Sequence, residues 1–176
     1  MYKFMLYYFN FRWANYIKGI IANFHARESL ESGFNAAVLT SVPLGGGVSS
    51  SAALEVSFYT LFEALTNNLA GDKKEKALAC QKAEHDFAGI PCGIMDQFVS
   101  IFGEKGHAVL IDCKELKAEP VPLDDPNCVI LITNSNVKHD LATSAYAERY
   151  EHFKNIISDL QNLQNLFKSR LYNFRM

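Results

Sequence analysis

Long apolar runs, an excess of one charge, proline and paired cysteines are all scarce in this chain. Of its 176 residues only five are proline and one is tryptophan. No stretch reaches the roughly 20 apolar residues that a membrane-spanning helix needs. The aromatic opening, MYKFMLYYFNF, is too short for that, and neither an aliphatic run nor a small-residue cleavage site follows it, so no secretion signal is read there. Seventeen basic residues against nineteen acidic ones leave a net charge of -2. With no basic patch interleaved with aromatics, this argues against nucleic acid or a membrane as partner. Cys80, Cys92, Cys113 and Cys128 form no CxxC pair and have no histidine at metal-ligand spacing. They read as reduced thiols in or near the core of a cytoplasmic protein, with no zinc site expected. Internal repeats and low-complexity linkers are absent.

What is present is the balance of an ordinary soluble globular chain, 49% hydrophobic and 20% charged, enough for one sizeable core. Trp13 to Ala22 places Trp13, Tyr16, Ile17, Ile20 and Ile21 on one helical stripe. Phe34 to Val42 partly alternates and predicts a strand. Ala52 to Leu65 repeats Leu54, Phe58, Leu61 and Leu65 at helical spacing. Further helices are predicted over Lys73 to Phe87, over Pro91 to Phe102, and from about Ala142 onward. Two more strands are expected, His107 to Cys113 and Cys128 to Thr133, the second apolar enough to be buried on both faces. The Pro- and Asp-rich EPVPLDDPN reads as their connection. Interleaved elements of this kind predict the α+β class, a mixed sheet layered with helices.

The most informative segment is PLGGGVSSSA, Pro43 to Ala52, where the predicted strand meets a helix. Gly45, Gly46 and Gly47 permit positive φ and close approach to a ligand. Ser49, Ser50 and Ser51 then open the helix, whose unpaired N–H groups and partial positive charge suit an anion. Serine can cap that helix, and its hydroxyl can meet a phosphate oxygen or a metal ion. The loop is not of the GxxxxGK(S/T) type. A dinucleotide GxGxxG would need serine as its last glycine and an acidic residue about 20 positions on that is not there. The plainer alternative is a flexible turn followed by an N-cap.

These residues resemble the central phosphate-binding motif of the GHMP sugar and metabolite kinases. The run QKAEHDFAGIPCGIMDQF, Gln81 to Phe98, together with TNSNVKHDLATSAY, Thr133 to Tyr146, narrows the resemblance to the galactokinases. It extends from about Arg12 to about Arg149. It implies an incomplete N-terminal, ATP-binding domain of the ribosomal protein S5 domain 2-like fold over residues 12–150, between an unmatched segment 1–11 and an unmatched helical tail 151–176. The implied reaction is ATP-dependent phosphorylation of D-galactose at C1, the entry to galactose metabolism, with Mg²⁺. A monomer is expected. By the same resemblance Gly45, Gly46, Gly47, Ser49, Ser50 and Ser51 would contact the nucleotide, and Ser51 with Glu84 would hold the magnesium ion. Asp96 would be the base that takes the proton of the sugar's anomeric hydroxyl, and Gly93 and Tyr146 would contact the sugar beside it.

The residues support those roles and leave alternatives beside them. Glu84 shares a helical face with Ala77 and Cys80, where a carboxylate is costly to bury unless paired, and Mg²⁺ is a natural partner. The alternative is a surface glutamate. Asp96 falls in the first turns of a helix, which favours the ionised form a base requires. A carboxylate there can also serve only to stabilise the helix. Galactokinases are more than twice as long as this chain. Their upstream arginine and G-E-H-x-D-Y string would lie before Arg12, where eleven unrelated residues stand, and their C-terminal domain with a third glycine-rich motif is missing. An unpaired sheet edge, exposed apolar surface and little activity of the chain alone are therefore expected. Two other readings remain: a sugar- or nucleotide-binding module without turnover, and a kinase of N-acetylgalactosamine.

Overall fold

A computed structural model describes residues 12–30, 33–69, 71–135 and 145–173. The chain falls into two units, residues 1–139 and 140–176. In the first, α1 (Ala14–Asn23) is followed by a 3₁₀ turn (Arg27–Ser29) and then by α2 (Ser50–Thr66). Then come α3 (Lys73–Ala83), a π turn (Glu84–Ala88), α4 (Met95–Phe102) and the strands β1 (His107–Asp112) and β2 (Lys117–Pro122).

The helix ends are chemically marked. Asp72 caps α3 by accepting from the Lys74 N–H at 3.0 Å. α2 stops at Asn67, which turns left-handed (φ 53°) and donates back to the carbonyls of Glu63 and Ala64. Ile20, Phe24, Phe58, Tyr59, Phe62, Cys80 and Ala83 form the main core. Within it Phe24 meets Tyr59 and Phe62 edge-on, with centroids 5.1 and 5.8 Å apart. Gly19 explains how close α1 and α3 lie, since a Cβ there would sit 2.6 Å from that of Ala83. A second cluster, Ala77, Ile94 and Phe98, joins α3 and α4 to the hairpin through Ile111 and Ala118.

The predicted stripe of α2 is rotated from the observed one. Phe58 is buried, but Leu65 is 58% exposed, and the buried face runs through Ala52, Glu55, Phe58, Tyr59, Phe62 and Glu63. Two acids on that face hide it from a hydrophobicity pattern. Glu63 is matched by Lys76, whose Nζ lies 2.7 Å from Glu63 Oε2 and 2.7 Å from Thr60 Oγ1.

The α+β class holds, as helices plus an antiparallel pair running from His107 opposite Pro122 to Asp112 opposite Lys117. The individual strands differ from expectation in three places. β2 lies at the start of the segment read as a connection; both strands of a two-stranded ribbon are edges, so Pro120 and Pro122 are tolerated there. Phe34–Val42 and Cys128–Thr133 are not strands. Both lack regular secondary structure and are largely exposed, with Leu39 at 99% and Val129 at 91%. Among the described residues the sheet has only β1 and β2, so neither stretch has a neighbour to complete its backbone hydrogen bonds. The cysteines also divide: Cys80 is buried and Cys92 half-buried, whereas Cys113 and Cys128 are exposed rather than near the core.

The second unit carries α5 (Ala145–Asn173), close to the predicted start; residues 142–144, like residues 1–11, lie outside the described ones. Among the described residues no helix is long and apolar enough to cross a membrane.

Candidate active site

The glycine–serine loop is folded by alternating backbone handedness. Gly45 and Gly47 have φ of 69° and 70°, Gly46 between them does not, and Ser49 follows at 59°. Such alternation turns backbone N–H groups into an anion-binding nest. A left-handed φ costs a residue with a Cβ about 1–2 kcal/mol, so Ser49 carries strain at the entrance to α2. Its side chain does not cap the helix, contrary to the capping role expected of serine here, and no acid occupies the first turn. The positive end of α2 is left for another anion. On the loop's other side a Cβ at Gly46 would lie 3.6 Å from the Asn134 amide nitrogen.

At the start of α2 the site becomes polar and buried. Ser51 lies near enough to Glu84, the first residue of the π turn and only 2% exposed, for its hydroxyl to favour the ionised carboxylate. A π turn inserts one residue into a helix and re-aims its side chains, which is why such turns recur at functional sites. Glu84 Oε2 accepts from Gln97 Nε2 at 2.8 Å and from the Cys92 thiol at 3.3 Å. Gln97 Nε2 also donates to Oε2 of Glu55, 3.2 Å away. Glu55 Oε1 and Gln97 Oε1 are buried without a hydrogen-bond partner.

The electrostatics follow from this burial. Desolvation, reinforced by the charge of Glu84, raises the Glu55 pKa to about 9, so at neutral pH Glu55 is a carboxylic acid. Glu84 is also raised by burial, against hydrogen bonds from Cys92, Ser51 and Gln97 that favour its ionised form. Burial pushes the Cys92 thiol up as well, which makes it a hydrogen-bond donor and not a nucleophile.

Asp96 sits half-buried in the first turn of α4. Its charge adds to the upward shift of Glu84, as the smallest of the causes, behind burial. The helix starts at Met95, later than the predicted Pro91, because Pro91, Cys92 and Gly93 form a loop. That loop is tied to α3 and the π turn: Gln81 Nε2 donates to the Cys92 carbonyl at 3.1 Å, and the Cys92 N–H donates to His85 Nε2 at 3.1 Å. Gly93 is exposed on it.

Ser51 and Glu84 thus face each other just past the glycine–serine loop, and Asp96, three residues after Gly93, acts on Glu84 through its charge. Tyr146 falls on α5 in the second unit, and its side chain lies outside the described residues. Sequence reasoning missed Glu55, Cys92, Gln97 and Asn134 as members of the site. Gln97 stood inside the GIMDQ string, and Glu55 was legible only as one of the two acids of α2, three residues after Ala52.

Residues 15–104, about half of the chain, match the family model described as the GHMP kinases N terminal domain. The chain belongs to the GHMP kinase family. It is 56% identical to the galactokinase of Homo sapiens over 138 residues, covering 78% of this chain and 34% of that protein. It is 45% identical to the galactokinase of Chloroflexus aurantiacus over 139 residues, covering 78% and 35%. The chain therefore spans about a third of the length of the curated relatives it matches. Among solved structures, the galactokinase of Lactococcus lactis complexed with galactose matches 85% of this chain and 39% of its own, with a TM-score of 0.67 and 29% identity.

Proposed function

We propose that this chain carries the nucleotide-binding and base-bearing part of a galactokinase-type site, for ATP-dependent phosphorylation of D-galactose at C1 in the cytoplasm. The observation that carries the reading is the contact of Ser51 with Glu84 at the free N-terminus of α2, with Asp96 in the same electrostatic environment. Backbone N–H groups of Gly45–Ser51 bind the phosphates, and the positive end of α2 draws charge onto them. Asp96 accepts the proton of the sugar's anomeric hydroxyl as that oxygen attacks. Gly93, without a side chain, lets the sugar approach.

Magnesium fits the donors present. Among the described residues no group of three or more His, Cys, Asp or Glu could hold a metal by itself. Mg²⁺ does not require one, since it is usually held by one or two carboxylates together with substrate phosphates and water. The Ser51 hydroxyl and the Glu84 carboxylate are hard oxygen donors of that kind. Held by Ser51 and Glu84, the ion would supply positive charge against the charge of the phosphates.

Isothermal titration of the chain with Mg·ATP and with galactose, beside a coupled assay of ADP release, tests the reading. Mg·ATP binding that Asp96→Asn leaves intact, with slow galactose-dependent ADP release that Asp96→Asn abolishes, is the result expected of a chain that spans about a third of its relatives' length. Binding without any release of ADP favours a sugar- or nucleotide-binding module instead, and a preference for N-acetylgalactosamine reassigns the acceptor. No binding of Mg·ATP ends the kinase reading.

A further inference from the structure

Gln97 is fully buried in α4, adjacent in sequence to Asp96, and its one amide nitrogen serves two buried carboxyls. Its own oxygen has no partner, and neither has Glu55 Oε1. Leaving such an atom buried and unsatisfied costs about 1–3 kcal/mol, and the cluster keeps two of them. The arrangement therefore does something packing does not require. It grips one oxygen of Glu84: the contacts from Gln97 and Cys92 both fall on Oε2, leaving Oε1 outside them. Glu55 holds the same amide from α2, the helix that begins with Ser50 and Ser51. Gln97 thereby ties the carboxyl-bearing π turn to the serine-bearing helix.

We infer that Gln97 is a positioning residue, whose amide orients the Glu84 carboxylate so that it and Ser51 present oxygens to the divalent cation of a bound nucleotide. The inference rests on the kinase reading above. Ligating carboxylates are themselves held by hydrogen bonds from outside the coordination sphere, and losing such a partner costs about 10–100-fold in metal affinity. Gln97 is such a partner, and Glu55 fixes it from behind.

The test uses the full chain with ATP and Mn²⁺ as probes, in wild type and in two variants. Gln97→Met keeps the length and removes the donor; Gln97→Leu removes it with a shorter, branched side chain. ATP affinity is measured by titration calorimetry with and without Mn²⁺, and thermal melts are recorded for each protein. In both variants the factor by which Mn²⁺ tightens ATP binding falls about 10-fold or more, while metal-free ATP affinity stays at the wild-type value. An unchanged factor overturns the inference. So does an equal loss of metal-free affinity, or loss of the cooperative melt in both variants, because each makes Gln97 a structural residue. A wild-type chain that binds no ATP overturns the kinase reading and this inference with it, whereas variants that respond to Mn²⁺ like a binding-competent wild type overturn the inference alone.

Discussion

The helices α1 to α4 of the first unit and its two irregular stretches, 34–42 and 128–133, treat their apolar residues in opposite ways. Ile20, Phe62 and Phe98 on the helices are fully buried, whereas Leu39 on one stretch and Leu131 on the other are almost wholly exposed. Hydrophobicity does not distinguish them, for Cys128–Thr133 is as apolar as any helix in the chain. Backbone hydrogen bonding does. A helix satisfies its N–H and C=O groups within itself and needs only one face covered. A strand needs a neighbour for its backbone before its side chains can form a face. The candidate site sits on the self-sufficient side of that divide: Ser51 and Glu55 on α2, Glu84 after α3, and Asp96 and Gln97 on α4.

That contrast can be broken by paired truncation. Phe62→Ala opens a cavity in the main core and is expected to cost about 3–5 kcal/mol, while Leu131→Ala on the exposed stretch stays within about 0.5 kcal/mol. Urea denaturation of both variants checks this, and equal costs would mean that residue 131 is buried in solution. A second test uses pH. The folded pKa of Glu55 lies above its ordinary value of 4.5, at about 9, so through that window the native state holds a proton that the unfolded state has released. Stability is thus complete below about pH 4.5 and falls as the pH rises towards 9, with Glu84 acting in the same direction. Melts at pH 5, 7 and 9 should show the decline, and Glu55→Gln should flatten it; a stability that rises over this range would refute the burial of these carboxyls.

The remaining effects are smaller. Alanine is the better helix former by about 1 kcal/mol, yet Gly19→Ala places its Cβ 2.6 Å from that of Ala83. The overpacking should dominate and leave a net loss of about 1–2 kcal/mol in denaturant unfolding. A gain in stability would show that α1 and α3 can separate without cost. Ser49→Gly should relieve the left-handed backbone, worth about 1 kcal/mol, and raise Tm by about 2–4 °C. An unchanged Tm would mean that Ser49 is not strained.

Much of the helical half was legible from spacing and punctuation. The periodic apolar residues of α1 marked it, Gly103 stopped α4, and Lys73 was correctly read as the start of α3 just after the acid that caps it. The loop was legible because three glycines before three serines have few other uses. Less legible was the buried face of α2, where Glu55 and Glu63 look like solvent-facing residues until their partners Gln97 and Lys76 are seen across the interface. The pattern also overcalled strands at 34–42 and 128–133, because alternation and apolar runs describe a side-chain surface and carry no information on whether a backbone partner is present.

By itself the sequence determined the local events: the helix periods, the left-handed turns at Gly45 and Gly47, and a family resemblance concentrated in residues 43–52 and 81–98. Each depends on residues within a few positions of one another, which is the range over which backbone preference and helical spacing act. Tertiary structure alone decided that Ser51 meets Glu84, that one amide from Gln97 spans Glu55 and Glu84, and that Glu55 is neutral at pH 7. Those outcomes join residues 13 to 42 positions apart, and desolvation, which sets the charge of the buried carboxyls, exists only once the helices have closed over them.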